Sequence, residues 1–573
     1  MASTTAMTIG LSGLNANARN LDVIGNNIAN INTTAFKSSR MLFATQFSRT
    51  MSLGSVPGTD SGGSNPTQIG LGVQIAGTQR NFNSGALSAT GDSRDLALEG
   101  DGFFIVQRGA NRLYTRAGAF RPNSENDLIN VSGDRVMGYG VDANFTVNTA
   151  ALIPLNLPVG QMRLTQATAN SAVAGNLNAG GTVAGQGATI MAGALTSISG
   201  GTPITGATLL TDIDDPNQAG TQPLFAVGQQ IQISGAQQGG KTLPTQTLTI
   251  GAGTTATDVQ AFLQSALGIN TTVGNNSDGA TPGVTITAGG QFQIIGNQGT
   301  ANDLSVATTN IRTLSAGGTP VGSPLTMTKA ANASATGESV RATLIAYDSL
   351  GNPLSVDVTM VLEQRSGGSG TIWRWFASSP DNLTGAGTNL NIGSGTISFD
   401  PQGQLITTAP VTLTVGRTGT GAIDPMSFDV DVSTLTALTD STPNFSQTSQ
   451  DGAPMGILAS FSVGDNGLIT GAFTNGLTRT IGQVAVAKFT NAEGLVDVGS
   501  NLFAVGPNSG TPIVTTPLSF GTGRVVGGSL ELSNVDLAEQ FTNLITASTG
   551  YSASSRVITT ADQLIQQLLV IGR

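Results

Sequence analysis

The sequence predicts a mainly β, multidomain protein in which N- and C-terminal α-helices pair as a coiled-coil module and β domains are inserted between them. Three observations carry this prediction. Apolar residues recur every seven positions near both ends, which is typical of helices that pack along a seam. Between the ends, short alternating runs of apolar and polar residues are separated by turn residues, which indicates strands. The length of 573 residues allows three or four domains.

A heptad pattern runs through the first part of the chain. Residues 5–31 contain no proline, and their large apolar side chains recur at two adjoining heptad positions. One position holds Leu14, Leu21 and Ile28, and the other holds Ile24 and Ile31. Residues 53–72 are instead rich in glycine, serine, proline and asparagine, which indicates an extended linker. We therefore predict one N-terminal helix that ends near Asn32.

The C-terminal heptad pattern is longer. One seam position holds Leu537, Leu544, Tyr551, Ile558 and Ile565, and its companion holds Gln540, Ala547, Ser554, Ala561 and Leu568. Ser533 and Asn534 are candidate N-caps for this helix. Gly550 interrupts the pattern and costs about 1 kcal/mol of helix stability, so the sequence allows a bend there.

Neither terminal helix is expected to be stable alone. Burying one apolar seam releases less free energy than the ordering of roughly 40 residues costs. The C-terminal segment therefore needs the N-terminal helix and, on this interpretation, copies of both helices from neighbouring subunits. An ordinary helical hairpin within one chain is the alternative that the periodicity leaves open.

Composition and periodicity predict a terminal helical assembly domain with its linker, made of the two separate segments 1–72 and 528–573. The stretch 181–330 is rich in glycine, alanine and threonine and is interpreted as an additional inserted outer β domain. Its apolar spacing predicts one central helix at about 255–267.

The composition excludes several kinds of chemistry. The chain has no histidine and no cysteine, which removes Ser-His-Asp and Cys-His catalysis, disulfides and cysteine-bound metals. We expect no catalytic, metal-binding or cofactor-binding residues and no enzymatic activity. A net charge of −10 disfavours nucleic-acid binding. No apolar run approaches a membrane span, and no secretory signal pattern precedes Arg19, the first basic residue.

Two groups of residues are candidate ligand sites, and we interpret both as structural. Asp212, Asp214 and Asp215 begin like a calcium loop, but the sixth and twelfth positions lack the required glycine and glutamate. This cluster is expected to be a solvated turn. Trp373 and Trp375 have the same parity on a predicted strand, so they face the same way. Hydrophobic core is favoured for them over a sugar-stacking platform.

The segment from Gly10 to Lys37 closely resembles the N-terminal signature of the bacterial flagellar rod and hook axial proteins. The Asn-Asn-Ile-Ala-Asn core of that signature is present as Asn26–Asn30. Three further blocks resemble the family's inner β domain and the approach to its C-terminal helix: 90–106 with 114–120, 491–510, and 528–539. The four blocks cover both ends of the chain in the family's order.

The sequence departs from the family pattern at three places. After the second block, the family's usual short Asp/Gly turn is replaced by Asn123–Asp127, which is longer and has no glycine. A glycine usually precedes the aromatic residue and lysine of the first block, whereas this chain has Ala35, which argues against a left-handed turn at that residue. The usual Gln-Arg before the helix tyrosine is replaced by Ser548-Thr549-Gly550. Contacts that this arginine makes in the family are therefore not expected here.

The middle of the chain narrows the resemblance to the hook members of the family. Rod members have little sequence between the second and third blocks, whereas this chain has more than 300 residues there. Residues 347–352, 373–375 and 399–403 resemble the outer β domain of hook members. The resemblance implies an inner β domain at 73–148 and 450–527 and an outer β domain at 149–180 and 331–449, so that with the terminal and inserted parts the chain has four predicted domains. A distal rod protein, a hook–filament junction protein and a β-rich surface adhesin that uses the two tryptophans are the alternatives.

The resemblance implies a structural subunit that polymerises into a curved, flexible helical tube and transmits torque from rod to filament. The implied partners are other copies of the chain, the distal rod protein, the hook cap protein, the hook–filament junction protein and the flagellar type III export apparatus. The implied location is extracellular, in the flagellum, after export without a cleavable signal. No nucleic acid or membrane insertion is expected.

The expected inter-subunit contacts lie on the two helix seams. Asn27 and Asn30 are included because their side-chain amides can bond across subunits. The predicted assembly residues are Leu14, Leu21, Ile24, Asn27, Ile28, Asn30, Ile31, Leu537, Leu544, Tyr551, Ile558, Ile565 and Leu568.

Overall fold

The computed structural model describes residues 2–218, 220, 222–368, 370–385, 387–407, 409–440 and 442–571, without the side chains at 2, 3, 568 and 571. The chain separates into two compact units. The first unit is Met1–Arg163 with Ile457–Arg573, and the second is Leu164–Gly456. Strands dominate, and helices lie at both ends of the chain, as the sequence predicts. No helix in the described ranges is long and apolar enough to cross a membrane.

The α-helices of the described chain are α1 (Ala2–Ala29), α2 (Ala256–Ala266) and α3 (Leu537–Ile571). α2 confirms the one helix predicted in the central region. Its first turn is closed by Asp258, whose Oδ2 accepts the backbone N–H of Thr255 at 2.7 Å. Its apolar face is buried in the core of the inserted segment.

α3 begins at Leu537, three residues after the start that a cap at Ser533 would give and two after the start that a cap at Asn534 would give. Asp536 Oδ1 accepts the backbone N–H groups of Ala538 at 2.8 Å and Glu539 at 3.2 Å, so Asp536 satisfies the free donors of the first turn. The cap predicted at Ser533 or Asn534 is therefore wrong. Asn534 is used elsewhere, because its Oδ1 accepts the backbone N–H of Ser38 at 2.8 Å.

The first unit is built on a large, largely antiparallel sheet. Its strands that lie wholly in the first unit are Phe103–Arg108, Asn111–Thr115, Arg121–Pro122, Leu128–Ile129, Arg135–Val141, Val147–Pro154, Leu468–Phe473, Thr478–Val484, Val486–Lys488, Val496–Asp497, Leu502–Ala504 and Ile513–Thr515. Two further strands of the sheet, Arg163–Gln166 and Ala453–Val463, contain the unit boundaries after Arg163 and after Gly456. Two-stranded ladders add Ser39–Thr45 with Val73–Arg80, Ser48–Ser52 with Thr67–Gly70, Leu87–Ala89 with Ser529–Glu531, and Leu96–Glu99 with Arg524–Gly527. The last two ladders join the early and late parts of the chain. One 3₁₀ turn lies at Ala492–Gly494.

The sheet pairing bears on one predicted boundary. The strand Val147–Pro154 contains the boundary predicted at residue 148, and this strand pairs with Arg135–Val141 in the sheet of the first unit. The two compact units instead divide after Arg163 and after Gly456. The division of the chain into four domains stays a prediction.

The second unit contains a β sandwich and the inserted segment. One sandwich sheet holds Asn170–Asn176, Val411–Val415, Met426–Thr436 and Asn444–Gln450, and the other holds Ser339–Tyr347, Pro353–Ser366, Gly370–Ser378 and Asn391–Phe399, with a small hairpin at Leu383–Thr384 and Gly387–Thr388. The inserted segment has strands Gly187–Ala192, Gln230–Ile233, Gln237–Gln238, Lys241–Thr242, Gln246–Thr249, Gly283–Ile286, Phe292–Gln298, Leu304–Ser305, Ile311–Leu314, Pro320–Gly322 and Met327–Lys329. Short 3₁₀ turns lie at Leu210–Asp212, Thr300–Asn302 and Thr308–Asn310.

Both tryptophans belong to the core of the sandwich. Trp373 is 0% exposed and contributes to the buried cluster, and Trp375 is half-buried against the same cluster. The ring of Trp375 lies over Gly395, where an added Cβ would stand 2.8 Å from the ring atoms. The core interpretation of the tryptophan pair is confirmed.

A buried ion pair holds the turn at residues 348–352 of the second unit. Asp348 Oδ1 accepts the backbone N–H groups of Leu350 and Asn352, each at 2.9 Å. Asp348 Oδ2 accepts Arg417 Nη2 at 2.9 Å, and the Asp348 and Arg417 side chains are 0% and 7% exposed. Gly351 takes the left-handed φ of 82° that the turn requires. This ion pair fixes the turn against the loop that carries Arg417.

Polar contacts hold the inserted segment to a sandwich sheet. Lys241 Nζ donates to both carboxylate oxygens of Asp357, at 2.8 and 2.6 Å. Arg341 Nη1 donates to the backbone oxygen of Gln238 at 2.9 Å, and its Nη2 bonds the backbone oxygen of Ala301. Burial lowers the pKa of Arg341, and nearby Asp357 acts in the opposite direction. The inserted segment and the sandwich therefore form parts of one compact unit.

Candidate assembly surface

α1 and α3 run antiparallel and pack closely over small residues. Gly10 lies against the far half of α3, where an added Cβ would stand 2.9 Å from Ile558 Cγ1, and a Cβ on Gly13 would stand 2.8 Å from Ser554 Oγ. At the other end of the pair, Asn27 bonds Gln540. The glycines let the two backbones approach, so the predicted pairing of the terminal helices is confirmed.

Gly550 has a packing role in this helix pair. α3 continues through Gly550 without interruption. The side chain of Asn17 fills the space beside it, and a Cβ at Gly550 would stand 2.9 Å from Asn17 Oδ1. Gly550, which interrupts the heptad pattern of the sequence, therefore leaves room for the polar side chain of Asn17 from α1.

The predicted seam residues differ in burial. Ile24 and Asn27 are buried, at 3% and 1% exposed, whereas Leu537 and Tyr551 are exposed at 39% and 38%. The predicted residues that are half-buried are Leu14, Leu21, Ile28, Asn30, Ile31, Leu544, Ile558 and Ile565. The side chain of Leu568 lies outside the described residues.

The most buried described side chains of α3 are small residues at the companion positions. Ala547 and Ala561 are 2% and 3% exposed, and Ala16 on α1 is 4% exposed. Because the helices approach over these small side chains, the larger seam residues flank the contact and keep part of their surface in solvent. The close contact of α3 with α1 therefore lies on the companion positions of the predicted heptad pattern.

Further apolar side chains point away from the helix pair. Leu11 on α1 is 59% exposed. On α3, Phe541, Ile545, Val557 and Leu564 are 50%, 65%, 44% and 53% exposed. Surfaces of this kind on helices are typical of interaction sites when they are contiguous. One chain thus leaves part of the apolar surface of its terminal helices uncovered.

The two predicted amides are bonded within the chain. Asn27 Nδ2 donates to Gln540 Oε1 at 3.0 Å and to the backbone oxygen of Ser39 at 2.7 Å. Asn30 Nδ2 donates to the backbone oxygen of Asn26 at 2.9 Å, which closes the end of α1. These bonds fix the helix pair and the helix end inside one chain. A role in contacts between subunits stays a prediction for both residues.

A buried charge cluster anchors the base of the helix pair. Lys37 Nζ and Glu531 Oε1 are 2.5 Å apart, and both side chains are 0% exposed. Arg116 Nη1 lies 3.6 Å from Glu531 Oε2 and is almost fully buried. Burial lowers the pKa values of Lys37 and Arg116, and the charge of Glu531 opposes this effect in both. One carboxylate therefore compensates two buried cations.

The anchor joins segments that follow α1 and precede α3. Glu531 Oε1 also accepts the backbone N–H of Gly85 at 2.8 Å, and Lys37 Nζ donates to the backbone oxygen of Asn83 at 2.7 Å. Sequence reasoning did not identify this cluster as a site. The sequence does contain a feature that could have pointed to it. Lys37 and Glu531 each lie in a block that resembles the axial-protein family, and charged residues are rare in this chain.

The expectation at Ala35 is wrong. Ala35 has a φ of 56°, in the left-handed region, and is 1% exposed. Its backbone N–H donates to the backbone oxygen of Glu531 at 2.8 Å. This bond and the surrounding charge cluster hold the backbone in the left-handed conformation. The steric cost is kept low because the side chain of alanine is only a methyl group.

We expect Ala35→Gly to raise the free energy of unfolding of the first unit by about 0.5–1 kcal/mol, because glycine adopts the left-handed conformation without steric cost. Chemical unfolding followed by circular dichroism measures this. Ala18→Gly, inside α1, is the control and should lose about 1 kcal/mol. A loss of stability in both variants would contradict the strain assigned to Ala35.

Comparison with known proteins supports the class of protein that the fold and helix pair define. Four domain families match in order along the chain: "Flagella basal body rod protein" at 7–37, "Flagellar hook protein FlgE/F/G D1 domain" at 97–183, "Flagellar basal body protein FlaE D2 domain" at 314–453, and "Flagellar basal body rod FlgEFG protein C-terminal" at 526–570. Together they cover more than half of the chain. The chain is thus an axial protein of the rod and hook class.

Relatives that match over almost the whole chain show which branch of the rod and hook class it belongs to. The flagellar hook protein FlgE of Treponema pallidum is 28% identical over 98% of each chain, and that of Borreliella burgdorferi is 27% identical over 98% of each. The FlgE of Caulobacter vibrioides is 26% identical over 100% of both chains. A crystal structure of Helicobacter pylori FlgE2 matches with 16% identity and a TM-score of 0.37, covering 78% of this chain and 100% of that one. The chain belongs to the flagellar hook protein family.

Proposed function

We infer that the chain is the structural subunit of a bacterial flagellar hook, which polymerises into a curved, flexible helical tube and transmits torque from rod to filament. The observation that carries the mechanism is the terminal helix pair, whose outward apolar side chains remain exposed in one chain. The relatives that match over the whole chain are hook proteins, so the distal rod, junction and adhesin alternatives are not favoured.

The terminal helices are suited to assembly because each chain covers only one side of its seam. The close contact between α1 and α3 buries small residues, and the larger apolar residues are left half-buried or exposed. Neighbouring helix pairs that cover these side chains gain the burial energy that one pair lacks. The predicted assembly residues, Asn27 and Asn30 included, are part of this proposal.

The partners and the route to the flagellum are also part of the proposal. A hook tube needs contacts with the distal rod protein below it and with the cap and junction proteins above it. We propose export of the uncleaved chain by the flagellar type III apparatus to an extracellular position. In this proposal the helices form the wall of the tube, and no catalysis is assigned to the β domains.

We expect concentrated full-length protein to form curved tubes, and variants that lack residues 1–35 or 535–573 to remain monomeric. Electron microscopy and sedimentation measure this outcome. Tubes formed equally by the truncated chains would contradict assembly through the terminal helices. Monomers of the full chain under all conditions would contradict self-assembly and favour an adhesin.

A pair of point variants tests the same surface without removing a helix. Phe541→Ser with Ile545→Ser removes two exposed apolar side chains and should raise the concentration needed for polymerisation at least tenfold. Thr542→Ser with Thr546→Ser alters two exposed residues on the same helix and is the matched control. Equal polymerisation by both pairs would exclude this face from assembly.

A further inference from the structure

A short loop in the first unit displays two large apolar side chains on strained backbone. Leu518 has a φ of 66° and Phe520 a φ of 52°, so both residues occupy the left-handed region. Their side chains are 59% and 80% exposed. Leucine and phenylalanine rarely adopt this conformation, and here its cost in free energy is not offset by burial of the two side chains within the chain. We call residues 516–523 the apolar loop.

The apolar loop is held rigidly by hydrogen bonds. Thr522 Oγ1 donates to the backbone oxygen of Ser519 at 2.8 Å, and Thr522 is 7% exposed. The backbone N–H of Gly523 donates to the backbone oxygen of Asp101 at 2.7 Å. Lys488 Nζ donates to the backbone oxygen of Gly521 at 2.8 Å. The loop therefore presents Leu518 and Phe520 in a fixed arrangement, which lowers the entropy cost of binding through them.

A second exposed apolar surface lies on the same sheet. Val496 and Val498 are 48% and 45% exposed. They lie two residues apart, in and just after the strand Val496–Asp497, so on extended backbone their side chains face the same way. We call these two residues the valine patch.

The apolar loop and the valine patch are at opposite edges of one run of strands. The loop directly follows the strand Ile513–Thr515, and the patch begins in the strand Val496–Asp497. Pairing runs from Ile513–Thr515 through Val486–Lys488, Phe103–Arg108, Asn111–Thr115 and Leu502–Ala504 to Val496–Asp497. Four strands thus separate the two edges.

We propose that the apolar loop of one subunit binds the valine patch of the next subunit in the polymer. This proposal rests on the proposed function, since a helical polymer of identical chains requires two different surfaces that complement each other. Two apolar surfaces at opposite edges of one sheet meet that requirement in a head-to-tail contact. Aromatic and aliphatic anchors on rigid supports carry most of the affinity in many protein interfaces. The occupant of the loop is therefore a second copy of this chain.

Thiol cross-linking of the assembled polymer tests the contact directly. The chain has no cysteine, so introduced cysteines are its only thiols. In tubes of the variant Phe520→Cys with Val496→Cys, a short bismaleimide should link chains into a ladder of multimers on a denaturing gel. The single-cysteine variants should give no ladder beyond a dimer, because each has only one thiol per chain.

A matched double variant controls for random proximity. Phe520→Cys with Val131→Cys places the second thiol at a residue of the same unit that is 90% exposed and outside the valine patch. A ladder from the first double variant and none from the second is the expected result. No ladder from tubes that electron microscopy shows to be intact would overturn this contact while leaving the proposed function standing. Failure of the unmodified chain to form tubes would refute both.

Polar replacement provides a second readout that a merely structural loop would not give. Asparagine tolerates the left-handed conformation, so Leu518→Asn with Phe520→Asn should leave the Tm of the monomer unchanged or higher. The same variant should raise the concentration needed for polymerisation about tenfold or more. Val131→Asn should change neither quantity. A lower Tm with unchanged polymerisation would show that the loop serves only the fold of its own chain.

Discussion

Glu531→Gln is expected to lower the free energy of unfolding of the first unit by about 3–5 kcal/mol. Glu531 is the carboxylate between Lys37 and Arg116, and its side chain is 0% exposed. Removing its charge takes away the carboxylate that lies beside two buried cations, and burying a cation without its partner is costly. Calorimetry or chemical unfolding of the full chain, resolved for the transition of the first unit, measures the loss.

Two further variants separate this effect from an ordinary loss of charge. Lys37→Met should cost less than Glu531→Gln, because the Arg116–Glu531 pair remains. Glu99→Gln breaks the contact with Arg524, in which both side chains are about half exposed, 48% and 49%, and should change stability by less than about 1 kcal/mol. Equal small losses in Glu531→Gln and Glu99→Gln would show that the buried cluster does not hold the unit together.

Arg417→Met is expected to destabilise the second unit by about 3 kcal/mol or more. It leaves Asp348 buried at 0% exposure without its cation, although the bonds from the backbone of the turn remain. The second-unit transition in calorimetry measures this change. Asp278→Asn, at an exposed turn of the same unit, is the matched control and should have little effect.

The same ion pair predicts how the second unit responds to acid. Burial acts to raise the pKa of Asp348, but hydrogen bonds from Asn352, Arg417 and Leu350 outweigh it and hold the pKa below its ordinary value. The resulting stability is present above the unfolded-state value of about 3.9 and is lost as the pH falls through the folded-state pKa. Asp348→Asn should therefore show a weaker loss of stability than the wild type when unfolding is measured from pH 5 to pH 2. Parallel pH profiles would contradict the linkage.

The helix pair can be predicted from the sequence because a heptad pattern of apolar residues shows which face of a helix packs against another helix. This pattern places Ile24 and the positions of Ala547 and Ala561 on the contact side, and the structure agrees. The pattern does not record how closely two helices approach. That distance depends on Gly10 and Gly13, whose missing side chains admit the partner helix. Tyr551 occupies a seam position and is nevertheless 38% exposed.

The buried anchor is beyond sequence reasoning for a different reason. Lys37 and Glu531 are 494 residues apart, and a lysine or glutamate in isolation is normally a solvent-exposed residue. Tertiary contacts of Glu531 bring the two together: its strand pairs with Leu87–Ala89, and its backbone oxygen accepts the backbone N–H of Ala35 at 2.8 Å. The same tertiary contact explains Ala35, whose strained backbone is bonded to Glu531. Local preference argues against that turn, and long-range contacts impose it.

The pairing of the first helix with the last has a consequence for the order of events during synthesis. The Asn27–Gln540 bond spans 513 residues and the Lys37–Glu531 contact spans 494. A chain made from its N-terminus therefore has no partner for α1 until almost all of it has been produced. The second unit contains only contiguous sequence, so its residues are complete much earlier. The helix pair can therefore form only after α3 has been synthesised. A chain that ends before α3 lacks the pair, so assembly through the helices is restricted to finished subunits.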